Sequence, residues 1–348
     1  AVVIDVRARV VNNTDANAGV TFTNTAQYTY ASTPAGATIV GGSATSAPLR
    51  IIEPLLTLGK TVVNFTNAGQ PPIAGDVLRY TLTFTATGGA GNDNYSDAFD
   101  VSIADTLSLG LAYQPGSQTV SVGNTITDPT VVGDGISTGQ SLTWNLTDAT
   151  ADIDVAEGTV VTVTYDVLVL NTVLADQALT NSAVIQWTGL DGNNSLERTG
   201  TASPAVNDYF TIPATTTLTT PDNTSFTKTR VTDTYVAGDA NVRVGDIVEY
   251  QLSVTLQEGL TNSVVVTDTL PQGLAFEEVV QINGDTSSPY SSVAPFVHND
   301  ITAVSAGNPI TGSSTVTFTV GDITNIADGN TANDNFIIRY RARVLDNV

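Results

Sequence analysis

The chain reads as all-β, a tandem of β-sandwich domains, and three observations predict it. Apolar and polar residues alternate over short stretches, and no stretch shows helical periodicity. Clusters of Gly, Asn, Asp and Pro punctuate these stretches at the spacing of strands in a sandwich. One pattern of motifs also occurs twice at a domain-sized interval.

In chain order, Val2 to Val11 alternates, with Arg7 and Arg9 on one face and Val6, Ala8 and Val10 on the other, and reads as a strand. A polar turn follows over Asn12 to Gly19. Val20 to Tyr30 is the next expected strand, in which Asn24 shares its face with Ala26, Tyr28 and Tyr30. Pro34 to Pro48 reads as a loop. The pattern restarts at Leu55, where Leu56, Leu58, Lys60 and Val62 lie on one face, and Gly75-Asp76 opens a strand over Val77 to Ala86. A loop from Thr87 to Asp97 precedes Val101-Ser102-Ile103-Ala104-Asp105-Thr106-Leu107, an apolar strand that carries an aspartate toward a turn. Further strands are expected at Gln118 to Val122, Ser141 to Leu146, Thr159 to Leu170 and Leu179 to Trp187. Ser203 to Asn223, rich in Thr and Pro, reads as a linker or a long edge segment.

The pattern then repeats. Phe226-Thr227-Lys228 answers Leu58-Gly59-Lys60, and Gly245-Asp246 through Tyr250 answers Gly75-Asp76 through Tyr80. Val264-Val265-Val266-Thr267-Asp268-Thr269-Leu270-Pro271 answers the first aspartate strand, and Phe336 to Leu345 answers Val160 to Leu170. Arg341-Ala342-Arg343-Val344 also resembles Arg7-Ala8-Arg9-Val10. The expected units are 1–52, the C-terminal strands of an incomplete or strand-donating domain; 53–206, a complete domain; and 207–348, a domain lacking its last strand.

Composition narrows the function. The 348 residues hold no Cys and no Met, so disulfides and thiolate chemistry are excluded. The missing Met reads as a processed or excised chain. Twelve Lys and Arg against 34 Asp and Glu leave a formal charge of -22, which disfavours nucleic acid and anionic lipid surfaces as partners. No apolar run in this segment is long enough to span a bilayer. Charged residues at 13%, with abundant Thr, Val, Asn and Gly, match an exported all-β protein.

The Lys, Gly-Asp, Asp-Thr-Leu-Pro-x-Gly-Leu and Asn-x-Ala motifs together resemble the conserved-repeat domain found in tandem in very large bacterial and archaeal surface proteins. Lys228, Gly245-Asp246 and Asp268 to Leu274 meet the pattern in the last unit, as do Lys60, Gly75-Asp76, Asp105 to Leu107 and Asn181-Ser182-Ala183 in the middle unit. Asn24-Thr25-Ala26 meets it in the first. Ser108 stands where the family has Pro. The resemblance implies an extracellular immunoglobulin-like structural module, related to the isopeptide-bonded domains of pili and adhesins.

Parity alone points Lys60, Asp105 and Asn181 into a core. A buried Lys tends to lose its proton and a buried Asp to gain one. The expected chemistry is attack of a neutral Lys60 amine on the Asn181 carboxamide with Asp105 as the proton shuttle, ammonia leaving. The plainer alternative has Lys60 snorkelling, Asp105 capping a turn and Asn181 bonding backbone. Lys228 and Asp268 form a second set without an Asn strand behind them, and Asn24 an Asn strand without a Lys or Asp before it. Residues 15–50 of a neighbouring chain completing the last domain, head to tail, is one reading, and a segment cut from a longer tandem protein is the other. Asp93 and Asp97 in one loop, and Asp328 and Asp334 in another, are candidate Ca²⁺ ligands, with turn formation as the commoner role. A ligand-binding adhesin, gripping a glycan or a host protein through the long loops Thr87 to Asp97 and Asn283 to Asn308, is the alternative function, with only Tyr95, Tyr290 and Phe296 as aromatics on those loops. No catalytic set of an enzyme is recognisable.

Overall fold

The computed structural model describes residues 3–13, 15–89, 95–121, 123–144, 147–148, 151–192, 194–195, 197–201, 206, 208–222, 225–231, 241–283 and 293–346. The fold is all-β, with tandem immunoglobulin-like β-sandwich domains, as expected. Among the described residues there is no α-helix, and no helix long and apolar enough to cross a membrane.

The first unit holds β1 (Thr21–Phe22), β2 (Thr25–Ala31), β3 (Thr38–Thr45) and β4 (Leu49–Arg50). β1 pairs with β4, and β2 with β3 as a hairpin whose residues are nearly all exposed. Residues 3–11, expected as a strand, form none. A strand needs a hydrogen-bonded neighbour, and the corresponding Arg341 to Val344 is flanked on both sides by strands that 3–11 does not have beside it.

The middle domain comprises β5 (Leu56–Asn64), β6 (Val77–Ala86), β7 (Phe99–Leu107), β8 (Leu111–Tyr113), β9 (Thr119–Val120), β10 (Thr130–Val132), β11 (Gln140–Trp144), β12 (Thr147–Asp148), β13 (Ala151–Asp152), β14 (Val160–Val169), β15 (Ala178–Thr188) and β16 (Ala214–Thr219). One sheet runs β5-β6-β14-β8, with β9 beside β14, and the facing sheet runs β10-β11-β7-β15-β16. Alternation supplies the inner faces: Leu78, Tyr80, Leu82 and Phe84 of β6 meet Val163, Tyr165 and Val167 of β14 over Ile103, Leu107 and Trp144. The stretch expected as a linker or edge segment supplies an edge strand, β16, so this sheet extends past residue 206 to Thr219.

The last domain comprises β17 (Ser225–Val231), β18 (Ile247–Thr255), β19 (Gly259–Leu270), β20 (Leu274–Ile282), β21 (Phe296–His298), β22 (Thr302–Gly307), β23 (Ser314–Asn325) and β24 (Asn335–Val344). Its sheets run β17-β18-β24-β20 and β19-β23-β21, with β22 also on β23. Its core centres on Phe318, Phe336 and Tyr340.

The Gly-Asp motif has a local cause. Gly75 and Gly245 sit at φ +84° and +92°, where a side chain is strained. The following carboxylates close the turn on the backbone N–H three residues back, Asp76 on Ile73 at 3.1 Å and Asp246 on Arg243 at 2.7 Å.

Both junctions are docked. Leu260 N–H donates to the Val173 carbonyl at 2.7 Å, and Ala327 packs against the middle core. Gly259 is required there, because a Cβ would lie 2.6 Å from the Val173 carbonyl oxygen. At the other end, buried Arg198 donates to Asn12 Oδ1 at 3.0 Å, the Asn13 carbonyl at 2.9 Å, the Ala16 carbonyl at 3.1 Å and Asn17 Oδ1 at 2.9 Å, and pairs with Glu53. Each hydrogen bond to a charged donor contributes about 1.5–3 kcal/mol. Arg198→Ala is therefore expected to speed hydrogen exchange at the Ala16 and Ala18 amides at least about tenfold while β14 amides stay protected; unchanged Ala16 and Ala18 exchange would show that Arg198 does not hold this junction.

Candidate functional site

Four strands bring the site together, two from each sheet of the middle domain. β5 carries Lys60 and β14 carries Tyr165 in one sheet, while β7 carries Asp105 and β15 carries Asn181 in the other. β15 pairs with β7 so that Ala183 lies opposite Asp105 and Asn181 opposite Leu107. The period-2 alternation of both strands then turns the two polar side chains toward the facing sheet.

There they meet Lys60. Its Nζ donates to Asp105 Oδ2 at 2.6 Å and to the Tyr165 hydroxyl at 3.1 Å. The Tyr165 hydroxyl in turn donates to Asp105 Oδ2 and accepts from Asn181 Nδ2 at 2.9 Å. The side chains of Lys60 and Asp105 are both 0% exposed, and Asn181 and Tyr165 are equally buried. Tyr80 stacks on Tyr165, and its ring centroid lies 5.2 Å from Lys60 Nζ. Asp105 Oδ1 and Asn181 Oδ1 are buried without a hydrogen-bond partner, a costly state for two acceptors.

Desolvation dominates the electrostatics. It pushes the Lys60 amine down to about 8 despite the attraction and hydrogen bond of Asp105. It likewise raises the Asp105 carboxyl against the opposing pull of Lys60. Both shifts favour the neutral pair, an amine and a carboxylic acid. A proton on Asp105 also converts one orphaned acceptor into a donor.

Sequence parity found Lys60, Asp105 and Asn181 but not Tyr165, which touches all three. A signal was present: Tyr165 and Tyr340 occupy equivalent places in two answering segments.

The last domain repeats part of this arrangement. Lys228 Nζ donates to Asp268 Oδ1 at 2.7 Å, and the Tyr340 hydroxyl to Asp268 Oδ2 at 2.5 Å. Here the lysine side chain is 35% exposed. Asn24 lies in the first unit, exposed, its backbone N–H on Ser46 Oγ at 3.0 Å, and is not brought to Lys228 and Asp268 within the chain.

Three of the four calcium candidates accept hydrogen bonds within the protein. Asp97 accepts from the Glu157 N–H at 2.7 Å, Asp328 from Asn333 Nδ2 at 2.7 Å, and Asp334 from Asn325 Nδ2 at 2.9 Å. Asp93 lies outside the described residues, among which no group of three or more His, Asp or Glu could hold a metal ion. Of the aromatics considered for ligand binding, Phe296 is in the core of the last domain, edge-on to Phe336, and Tyr290 lies outside the described residues.

Tyr165→Phe removes the hydroxyl that three polar groups share. It is expected to lower stability by about 1–3 kcal/mol, read from the denaturant midpoint; an unchanged midpoint would mean that the hydroxyl holds nothing in place.

No protein-family model and no curated protein matches the chain. Among solved structures, the C-terminal domain of the Streptococcus agalactiae AgI/II polypeptide BspA superposes with a TM-score of 0.30 at 13% identity, covering 83% of this chain and 92% of that one. The T6 backbone pilin of Streptococcus pyogenes gives 0.31 at 13%, covering 88% and 68%. The Corynebacterium diphtheriae major pilin SpaA, described as having stabilizing isopeptide bonds, gives 0.29 at 12%, covering 66% and 56%. Similarity at this level says nothing of what this chain does.

Proposed function

We propose that the chain is a load-bearing segment of an extracellular surface fibre, built from β-sandwich units that follow one another head to tail, with the middle unit stapled by a Lys60–Asn181 isopeptide bond. The observation that carries the reading is the convergence of an amine, a carboxyl and a carboxamide in one sealed site, with electrostatics that favour the neutral form of the first two. A chain without Cys has no disulfide to resist unfolding, and docked junctions at both ends of the middle domain suit a rod that transmits tension.

The lone pair of neutral Lys60 Nζ attacks Asn181 Cγ and forms the new C–N bond. Asp105, protonated, donates to Asn181 Oδ1 as charge develops there. A proton then passes from Nζ to Nδ2 by way of Asp105, the Cγ–Nδ2 bond breaks, and ammonia leaves. Asp105 ends with the proton it began with. Tyr165 holds the three groups in register through its hydroxyl. The middle domain does this once, so the chemistry is maturation of the fold and not turnover of a substrate.

Intact-mass measurement is the direct test. The expected result is one ammonia fewer than the sum of residues for the middle domain, and restoration of the full sum in Asn181→Ala; a wild-type mass equal to the sum would remove the isopeptide from the proposal. A cross-link closing a loop of this size stabilises by about 4–5 kcal/mol in chain-entropy terms, so Asn181→Ala is expected to unfold at correspondingly lower denaturant.

A pH dependence separates the linked and unlinked forms. In Asn181→Ala the Lys60 amine still titrates, near 8 folded against 10.5 for an ordinary lysine. Between these values the unfolded chain binds more protons, so stability of the variant rises with pH from about 8 to about 10.5. The linked amide has no such proton. A wild-type stability curve with the same rise as the variant's would contradict linkage.

A further inference from the structure

We propose that the edge of β19 left unpaired among the described residues receives the β2–β3 hairpin of a second copy of this chain, and that Asn24 of that hairpin becomes covalently joined to Lys228. The inference rests on the isopeptide reading of the middle domain and extends it to a junction between chains.

The two domains correspond strand for strand around the aspartate. In the middle domain β7 lies between β11 and β15, with Leu142 opposite Asp105 on one side and Ala183 on the other. In the last domain β23 takes the place of β11, with Val316 opposite Asp268. Among the described residues, nothing pairs with the other edge of β19 from Val264 to Leu270. The consequence is visible at the lysine: Lys60, covered by β15, is 0% exposed, and Lys228 is 35% exposed.

The β2–β3 hairpin has the form of what belongs there. In the middle domain the position is filled by β15–β16, in which Ala183 lies opposite Ala214 and Ser182 opposite Thr215, hydroxyl to hydroxyl at 2.9 Å. In β2–β3, Ala26 lies opposite Ala44 and Thr25 opposite Thr45, hydroxyl to hydroxyl at 2.8 Å. Asn24, Ala26, Tyr28 and Tyr30 thus match Asn181, Ala183, Ile185 and Trp187. In β15 those four are buried, whereas Tyr28 and Tyr30 are 63% and 51% exposed, a pair of aromatic rings with no core beneath them. Transferred in the middle domain's register, Ala26 falls opposite Asp268 and Asn24 opposite Leu270, bringing the Asn24 carboxamide to Lys228, Asp268 and Tyr340.

The hairpin cannot reach β19 of its own chain, because the middle domain stands between them, so a β2–β3 hairpin docked on β19 comes from another copy. Residues 12–17 are fixed by Arg198 and Glu53 at one end of β15, and β19 is docked on Val173 and Leu174 at the other. The 11 residues of β15 span about 36 Å at about 3.3 Å per residue. The hairpin alone is transferred, since the place that Arg7 to Val10 would occupy is held by Arg341 to Val344 of β24. Such a contact is heterologous and does not close on itself, so it propagates as a filament. The bond chemistry balances as in the middle domain: Nζ–Cγ forms, Cγ–Nδ2 breaks, and one ammonia leaves for each junction.

The test uses two variants of the 348-residue chain, Lys228→Arg and Asn24→Ala, alone and mixed. Wild-type chain at high concentration is expected to give a ladder that survives boiling in denaturant, and peptide mapping to join the segments containing Asn24 and Lys228. Each variant alone is expected to run as a monomer. Mixed, they combine one intact lysine with one intact asparagine and are expected to give covalent dimers that go no further. Loss of one ammonia at Lys60–Asn181 within each variant reports that the middle domain is folded and linked. If that loss is present but the wild type gives no ladder, or a polymer that dissociates on boiling, the covalent junction is overturned and the staple stands. A ladder that persists in Asn24→Ala, or a mixture that stays monomeric, also overturns it. Absence of the Lys60–Asn181 loss overturns the underlying reading instead.

Discussion

A lysine amine and an aspartate carboxyl 2.6 Å apart, both sealed from water, form the constraint around which the middle domain is arranged. Buried as ions, the two groups attract each other but lose hydration worth several kcal/mol apiece, so such a pair adds little net stability over an apolar core. Its presence needs another explanation than ionic strength of packing. Both pKa shifts run toward neutrality, and conversion of the lysine to an amide would remove its charge from the core for good. The orphaned Asp105 Oδ1 is consistent with this, since a proton on it turns a buried acceptor into a donor.

The sandwich architecture is what makes the meeting possible. Lys60 and Tyr165 come from one sheet, and Asp105 and Asn181 from the other, so the site is a tie between layers that otherwise hold by apolar packing and by polar contacts such as the Tyr113 N–H to Gln140 Oε1 hydrogen bond at 2.7 Å. β5 is an edge strand of its sheet and lies against β15 and β16. The proposed bond to β15 would fix an edge strand to an interior one. Under tension, a domain stapled in this way yields only the chain outside the closed loop, whereas an unstapled sandwich can unravel from its edges.

Much of this was legible in the chain because strands have period 2. Parity alone turned Lys60, Asp105 and Asn181 toward one core, and the repeated Gly-Asp and Asp-Thr-Leu motifs marked the two domains. What parity leaves open is which inward residues touch, since that depends on register between strands far apart in sequence. Tyr165 was missed for this reason: it is 60 residues from Asp105 and 105 from Lys60, and an inward Tyr reads as ordinary core. β16 was legible only as a linker or an edge segment, because an edge strand rich in Thr and flanked by Pro looks like either until a partner is known. Residues 3–11 show the converse case, where alternation is present and the partner strands are not.

The two lysine sites also show how the chemistry can be kept from acting at the wrong time. Lys228 has its aspartate and its tyrosine in place, at 2.7 Å and through Asp268 respectively, yet water reaches a third of its side chain. In the middle domain the strand that carries Asn181 also closes the site over Lys60. In the proposed chemistry one element would therefore deliver the electrophile and remove the water that keeps an amine protonated. Lys228, which no strand covers in this way among the described residues, has neither, so the proposed bond would be tied to correct strand pairing. A one-residue slip of β15 would turn Asn181 to the opposite face and leave the site both open and without its carboxamide. The proposed staple would thus lock the register it depends on and no other.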